Sequence, residues 1–412
     1  MRYGLLGKTL AHSHSPLIYA QLGIADYRLF ETPPDGVESL IRGGELAGLN
    51  VTIPYKKTVM PFCDTLSDTA RRLGNVNVLR FDSNGRIHGD NTDYAGLRAT
   101  LLRGGFAVEG RKVAILGTGG AAQTAAAVAH DLGARTVVHV SRTGEDNYGN
   151  LDRRADAQLL INATPVGMYP NCDAAPLSLD CFEALEGVVD LVYNPLRTRL
   201  LQQAMQRGVR CAGGLFMLAE QGRAAAEIFL GHAIDPAATN RVYAALLQKV
   251  EGIALVGMPG SGKTAVAQAV AALMQRGCID LDASIAGQEG KSPAQIIEQD
   301  GESAFRTIEA EVLQSAACEG GRVMATGGGA VLRAENRAAL RQNSRVYWLK
   351  RPLSELETTG RPLSKDLPAL YERRRPAYEA AADVMIDTQQ TPEETARKIV
   401  EEFYEYTRTQ WA

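Results

Sequence analysis

The chain has 412 residues, 45% of them hydrophobic, with 44 basic against 47 acidic side chains and a formal net charge of −3. That length exceeds what one core supports and predicts two or three domains, while the near-neutral charge leaves no electrostatic footprint for nucleic acid or an anionic membrane, so small molecules are the expected partners. Six cysteines (63, 172, 181, 211, 278 and 318) form no CxxC pair and have no histidine at ligand spacing, which argues against a metal cluster and predicts buried free thiols in a reducing cytoplasm.

From the N-terminus, Met1-Arg-Tyr-Gly-Leu-Leu-Gly-Lys8 is too brief for a signal-peptide core, and no apolar stretch approaches membrane-spanning length. Short β-branched runs alternate with Ala/Leu-rich amphipathic stretches, the pattern of parallel sheets covered by helices, an α/β fold. Four polar clusters come first: Ser13-His-Ser15-Pro16, Asn50-Val-Thr52-Ile-Pro54-Tyr-Lys56, Gly74-Asn-Val-Asn77 and Gly89-Asp-Asn91-Thr92-Asp93. Hydroxyls, amides, one lysine and one acid make a recognition set for a polyhydroxylated small molecule.

Lys112-Val-Ala-Ile-Leu116 then reads as a buried strand, followed by Gly117-Thr-Gly119-Gly120-Ala121-Ala122 and an Ala-rich helix, a dinucleotide-binding turn in its required context. The second strand, Thr136-Val-Val-His-Val140, ends in Ser141-Arg142-Thr143 where an acid would favour NAD; a hydroxyl and a guanidinium suit the 2′-phosphate of NADP. Further on, Asp235-Pro236 opens a helix with Val242, Ala245, Leu246 and Lys249 on one face. Only Val250-Glu251-Gly252 separates its end from the next strand, so the boundary falls near residue 250 and the halves are expected to abut.

After the apolar run Ile253-Ala-Leu-Val256 comes Gly257-Met-Pro-Gly260-Ser261-Gly262-Lys263-Thr264. A strand that breaks into a glycine-rich loop before a helix presents backbone N–H groups to a polyphosphate, with Lys263 countering its charge and Thr264 available to magnesium, so this half is expected to bind ATP and Mg2+. Cys278-Ile-Asp280-Leu-Asp282 reads as a strand end that sets two acids on one face near that loop. Gly301-Glu-Ser-Ala-Phe305-Arg306, Gly327-Gly328-Gly329, Arg361-Pro362-Leu363 and Arg374-Arg-Pro-Ala-Tyr378 follow. Two arginines in separate motifs, 306 and 374, fit a bidentate grip on a carboxylate, and the triple glycine lets backbone approach a ring.

The four N-terminal clusters, with Asn162-Ala-Thr164-Pro-Val-Gly167, Asp190-Leu191-Val-Tyr193 and Gly214-Leu-Phe-Met217-Leu-Ala-Glu-Gln221, resemble the motifs of shikimate dehydrogenase over about the first 250 residues. The resemblance implies a substrate-binding domain at 1–100, completed by about 214–250, and a Rossmann NADP domain at 101–213. It assigns Ser13 and Ser15 to a substrate carboxylate, Asn50, Thr52, Asn77, Tyr193 and Gln221 to hydroxyls, and Thr164, Leu191, Gly214 and Met217 to the cofactor. Reducing a ring ketone creates an oxyanion that needs a positioned proton donor, and Lys56 and Asp93 suit the roles of donor and holder. Asn75 and Val78 stand where that family usually has alanine and threonine.

Residues 251–412 resemble shikimate kinase, a P-loop domain with a parallel sheet flanked by helices. By that resemblance Asp282 binds the acceptor hydroxyl and takes its proton, Asp280 and Thr264 serve magnesium, and Lys263 and Arg361 stabilise the transferring phosphoryl group. Arg361 rides on a short lid beginning at Leu353. Arg306, Gly327, Gly328, Gly329 and Arg374 hold shikimate, while Gly257, Gly260, Ser261 and Gly262 cradle the nucleotide. The whole chain then resembles a fusion that converts 3-dehydroshikimate to shikimate and shikimate to shikimate 3-phosphate. An NAD-linked quinate/shikimate dehydrogenase joined to another polyol kinase, or one half kept only for binding or scaffolding, are the alternatives. The oligomeric state is not legible.

Overall fold

The computed structural model describes residues 2–11, 13–356 and 366–410. Arg361, Pro362, Leu363 and the end of the expected lid lie outside the described residues. The chain forms two compact units: Met1–Val166 with Ala175–Tyr193 and Leu200–Leu246, and Leu247–Ala412 with Gly167–Ala174 and Asn194–Arg199. Two stretches inside 101–213 thus belong to the second unit.

The first unit carries two sheets. Strands β1 (Arg2–Gly7), β2 (Tyr27–Glu31), β3 (Leu46–Val51), β4 (Thr65–Leu66), β5 (Val78–Phe81) and β6 (Ile87–Asp90) lie in the order β2-β1-β3-β5-β6-β4. The β1–β2, β1–β3 and β4–β6 pairs are parallel, whereas β3–β5 and β5–β6 are antiparallel. Helix Leu215–Leu230 packs against helices Ser15–Gln21 and Asp93–Arg103 through small residues. A Cβ on Gly222 would lie 2.5 Å from Ile18, and one on Gly96 2.7 Å from the Met217 carbonyl, so both approaches require glycine.

The second sheet runs β11-β10-β9-β7-β8, all parallel, from β7 (Lys112–Leu116), β8 (Thr136–Val140), β9 (Leu159–Asn162), β10 (Gly187–Asp190) and β11 (Arg210–Ala212). Every residue of β7, β9 and β10 is buried, as a parallel strand covered on both faces must be. Between β7 and β8, helix Gly120–Asp131 buries Ala122, Ala125, Val128 and Ala129, a small-residue stripe that lets the helix sit close to the strands.

In the second unit β12 (Gly252–Val256), β13 (Cys278–Asp280), β14 (Val323–Ala325), β15 (Ser344–Lys350) and β16 (Val384–Asp387) form a parallel sheet in the order β13-β14-β12-β15-β16. The strand expected to reach Asp282 stops at Asp280. There the Asp280 carboxylate accepts the Ala283 N–H at 3.0 Å and caps helix Leu281–Glu289, placing Asp282 in the first helical turn rather than on a strand face. The six cysteines are free, but only Cys172 is buried; Cys278 is exposed because β13 is the sheet's edge. Helix Ala237–Val250 buries Val242 and Leu246 as expected, while Lys249 is exposed.

Glu251, 1% exposed, is paired with Arg197 at 2.7 Å, and that guanidinium also donates to the carbonyls of Arg341 and Ser344. Removing one partner leaves a buried charge uncompensated. Arg197→Met should therefore cost the second unit about 3–5 kcal/mol, read as a lower midpoint for the urea unfolding of that unit. An unchanged midpoint would show that the pair contributes nothing to the fold.

Candidate functional site

In the first unit a cavity of about 330 Å³ opens where β1, β3 and β5 converge, and its lining includes Ser13, Ser15, Asn50, Thr52, Lys56, Asn77, Asp93, Tyr193 and Gln221. Nine side chains expected to hold or reduce a ligand thus come together from positions 13 to 221. The Lys56 ammonium donates to Asp93 Oδ2 at 2.5 Å, and Asn77 Nδ2 donates to Asp93 Oδ1 at 2.9 Å. Asp93 opens helix Asp93–Arg103, with its own N–H held by Asn91 Oδ1 at 3.0 Å. The carboxylate thus sits at a helix N-terminus, where the helix dipole favours it, and holds Lys56 in place. With side-chain exposures of 28% for Lys56 and 13% for Asp93, the pair is sheltered but reaches the cavity.

Two tyrosines that belong to none of the sequence motifs pack here, Tyr19 on the cavity lining and Tyr27 behind Asn50. Tyr19 and Tyr27 are buried and stacked at 4.0 Å, and the Tyr27 hydroxyl donates to Asn50 Oδ1 at 2.7 Å. The signal for Tyr19 was its place four residues after Ser15, on the same face of helix Ser15–Gln21. Burial raises the phenol of Tyr193 above its ordinary pKa, keeping it a neutral donor at the cavity wall.

At the carboxyl ends of the second sheet, β8 and β9 flank β7 on opposite sides, making the switch point at which such folds bind dinucleotides. Gly117 has φ +107°, a conformation that favours glycine, and Gly119 precedes the first turn of helix Gly120–Asp131, with Ala121 one residue in. Next to this turn, buried Asn162 donates to buried Asp190 at 2.9 Å, while its Oδ1 accepts the Thr164 N–H at 3.0 Å and the Thr164 hydroxyl at 2.7 Å. A Cβ on Gly214 would collide with the Leu191 carbonyl. Thr164 thus lies beside Gly117, Leu191 lies against Gly214, and Met217 is in the first turn of helix Leu215–Leu230.

Ser141 turns its hydroxyl oxygen to the Gly144 N–H at 2.9 Å, while Arg142 and Thr143 are exposed. Arg154, which lies in no sequence motif, returns to this loop and donates to Asp146 at 2.7 Å.

The second unit's glycine-rich loop has three residues at positive φ, Gly257 (+147°), Gly260 (+81°) and Gly262 (+86°), which curl it over the start of helix Lys263–Met274. The Lys263 ammonium donates to the carbonyls of Gly257 at 3.0 Å and Met258 at 2.9 Å, and Ser261 Oγ is buried without a partner. Thr264 donates to Asp280 Oδ2 at 2.6 Å, which joins the two expected magnesium ligands. Among the described residues no group of three or more His, Cys, Asp or Glu could hold a metal. A hydroxyl and one carboxylate beside a phosphate loop still fit magnesium, which takes its remaining ligands from phosphate and water.

Asp282, Arg306, Gly327, Gly328, Gly329 and Arg374 form one cluster. A Cβ on Gly327 would stand 3.1 Å from Asp282 Oδ1 and 2.5 Å from Glu309 Oε1, and one on Gly329 would collide with Arg306. Arg374 donates to the Gly328 carbonyl at 3.0 Å and buries Nε without a partner. Glu309, 1% exposed, pairs with Arg306 at 2.7 Å, and burial pushes its carboxyl pKa up against that pairing. Its signal was the i,i+3 spacing from Arg306.

A family model described as shikimate dehydrogenase substrate binding domain matches residues 5–79, and one described as shikimate kinase matches 259–404. The chain is 35% identical over 264 residues to a shikimate dehydrogenase (NADP(+)) of Clostridium perfringens, covering 58% of this chain and 96% of that protein. Among solved structures, a chorismate mutase/shikimate 5-dehydrogenase fusion protein from Clostridium acetobutylicum is 34% identical with a TM-score of 0.57, covering 60% of this chain and 97% of that one. A shikimate 5-dehydrogenase from Thermus thermophilus in complex with NADP(H) and shikimate is 32% identical with a TM-score of 0.54, covering 59% and 98%. No described helix is long and apolar enough to cross a membrane. The chain belongs to the shikimate dehydrogenase family through its N-terminal part, and a shikimate kinase domain is fused behind it.

Proposed function

We propose that the first unit reduces 3-dehydroshikimate to shikimate with NADPH and the second phosphorylates shikimate to shikimate 3-phosphate with ATP and Mg2+. The observation that carries this reading is the convergence of Ser13, Ser15, Asn50, Thr52, Lys56, Asn77, Asp93, Tyr193 and Gln221 on one cavity. A ring carboxylate suits the paired serines, and the amides suit ring hydroxyls. The nicotinamide supplies hydride, and Lys56 delivers a proton to the oxygen that gains charge, with Asp93 holding the ammonium in place. Arg142 is the side chain offered to the 2′-phosphate of NADP.

For the second reaction ATP supplies the phosphoryl group and magnesium neutralises charge on its oxygens; Thr264 and Asp280 are the residues that would hold the metal. Asp282 accepts the proton of the ring hydroxyl. Arg306 and Arg374 bind the carboxylate; the unpartnered Nε of Arg374 gains a bond only when an anion arrives. Lys263 moves its donors from loop carbonyls to phosphate oxygens.

Purified protein should consume NADPH only with 3-dehydroshikimate and release ADP only with shikimate. Failure of one assay reduces that unit to a binding module. NADH used as efficiently as NADPH would remove the contact assigned to Arg142.

A further inference from the structure

Asn50 faces the ligand cavity, yet its amide is anchored from behind. Its Oδ1 can only accept, so the single phenolic hydrogen of Tyr27, 2.7 Å away, is directed there. The Tyr27 oxygen is then left to accept. Asn50 Nδ2 donates to the Asn77 carbonyl at 3.5 Å. A flipped amide would set two carbonyl oxygens against each other there and place Nδ2 against the Tyr27 proton. The stacking of Tyr19 on Tyr27 at 4.0 Å, both buried, fixes the rings that carry this order.

We infer that Tyr27 is a positioning residue for ketone reduction: its hydroxyl holds the Asn50 amide with Nδ2 toward the ligand. This rests on the proposed reading of the first unit. It commits Asn50 to donating toward a ring hydroxyl oxygen.

Tyr27→Phe tests this, since the ring and its stack remain while one hydroxyl is lost. Shikimate binding, followed by titration calorimetry, should weaken about ten-fold, as the loss of one organising hydrogen bond predicts. The KM for 3-dehydroshikimate should rise by a similar factor, with the KM for NADPH unchanged. In an Asn50→Ala background the same substitution should add less than about two-fold, because Tyr27 acts through Asn50. Equal losses in both backgrounds would make Tyr27 merely structural, and wild-type affinity in Tyr27→Phe would overturn the inference outright. A wild-type protein that binds no shikimate would instead overturn the functional reading on which this rests.

Discussion

Replacing Lys56 with alanine should lower the turnover number for NADPH-dependent reduction of 3-dehydroshikimate by about 10²–10⁴-fold, the usual contribution of a positioned proton donor. Hydride addition leaves charge on the former ketone oxygen, and in a partly sheltered cavity that charge must be met at once. Among the described residues that line the cavity, Lys56 is the one lysine or arginine. Its partner decides how the loss divides between kcat and KM. Asp93 is bonded by both Lys56 and Asn77, so once the ammonium is gone Asn77 still holds the carboxylate and the hydroxyl-binding edge keeps its shape. The KM for 3-dehydroshikimate should therefore change far less than kcat. Asp93→Asn should give a smaller loss of kcat, because the ammonium stays but loses the charge that orients it. All of the cavity-lining residues belong to the first unit, so ADP release with shikimate should stay within about two-fold of wild type, as expected for independent sites. Stopped-flow single turnovers at saturating NADPH read the chemical step directly. A Lys56→Ala enzyme with an unaltered hydride-transfer rate would remove Lys56 from the mechanism.

Much of this was legible in the chain because the glycine motifs follow strands. Lys112–Leu116 and Ile253–Val256 were readable as buried parallel strands from uninterrupted apolar runs, and Gly117, Gly257, Gly260 and Gly262 after them occupy positive-φ positions that such turns need. The nine polar residues around the first cavity were also readable, since hydroxyls, amides and a lone lysine in short clusters have little reason to occur together in a core. What escaped was local competition and depth. Asp282 looked like a strand residue until the Asp280 carboxylate capped a helix, and a two-residue spacing alone cannot distinguish those outcomes. Tyr27 bonds Asn50 from behind and Glu309 pairs with Arg306 from within the core, and buried tyrosines such as Tyr19 and Tyr27 look like ordinary core in a sequence. Arg154 was missed because a 3-10 turn, Leu151–Arg154, brings it back to a loop that it follows by several residues.

Asp282→Asn should remove shikimate-dependent ADP formation almost entirely, a loss of about 10²–10⁴-fold in kcat for a general base, while NADPH oxidation proceeds at the wild-type rate. Asparagine keeps the size and a hydrogen-bonding oxygen, so shikimate should still bind, but the amide cannot take the proton that the acceptor hydroxyl gives up. Rescue by the other carboxylate nearby is closed off. Glu309 Oε1 approaches the same backbone at Gly327, yet its side chain is 1% exposed and its Oε2 is committed to Arg306 at 2.7 Å. Were Glu309 to take over, it would have to release Arg306 and weaken the grip on the ring carboxylate, which would appear as a raised KM for shikimate rather than a lost kcat. The two outcomes therefore separate. A fall in kcat with KM within about three-fold of wild type assigns the proton to Asp282, whereas retained kcat with a raised KM removes Asp282 as the essential base and passes the proton to Glu309. Equal silencing of both reactions by this one substitution would show that the two sites are not independent. Asp282 lies in the second unit, while every residue lining the reducing cavity belongs to the first.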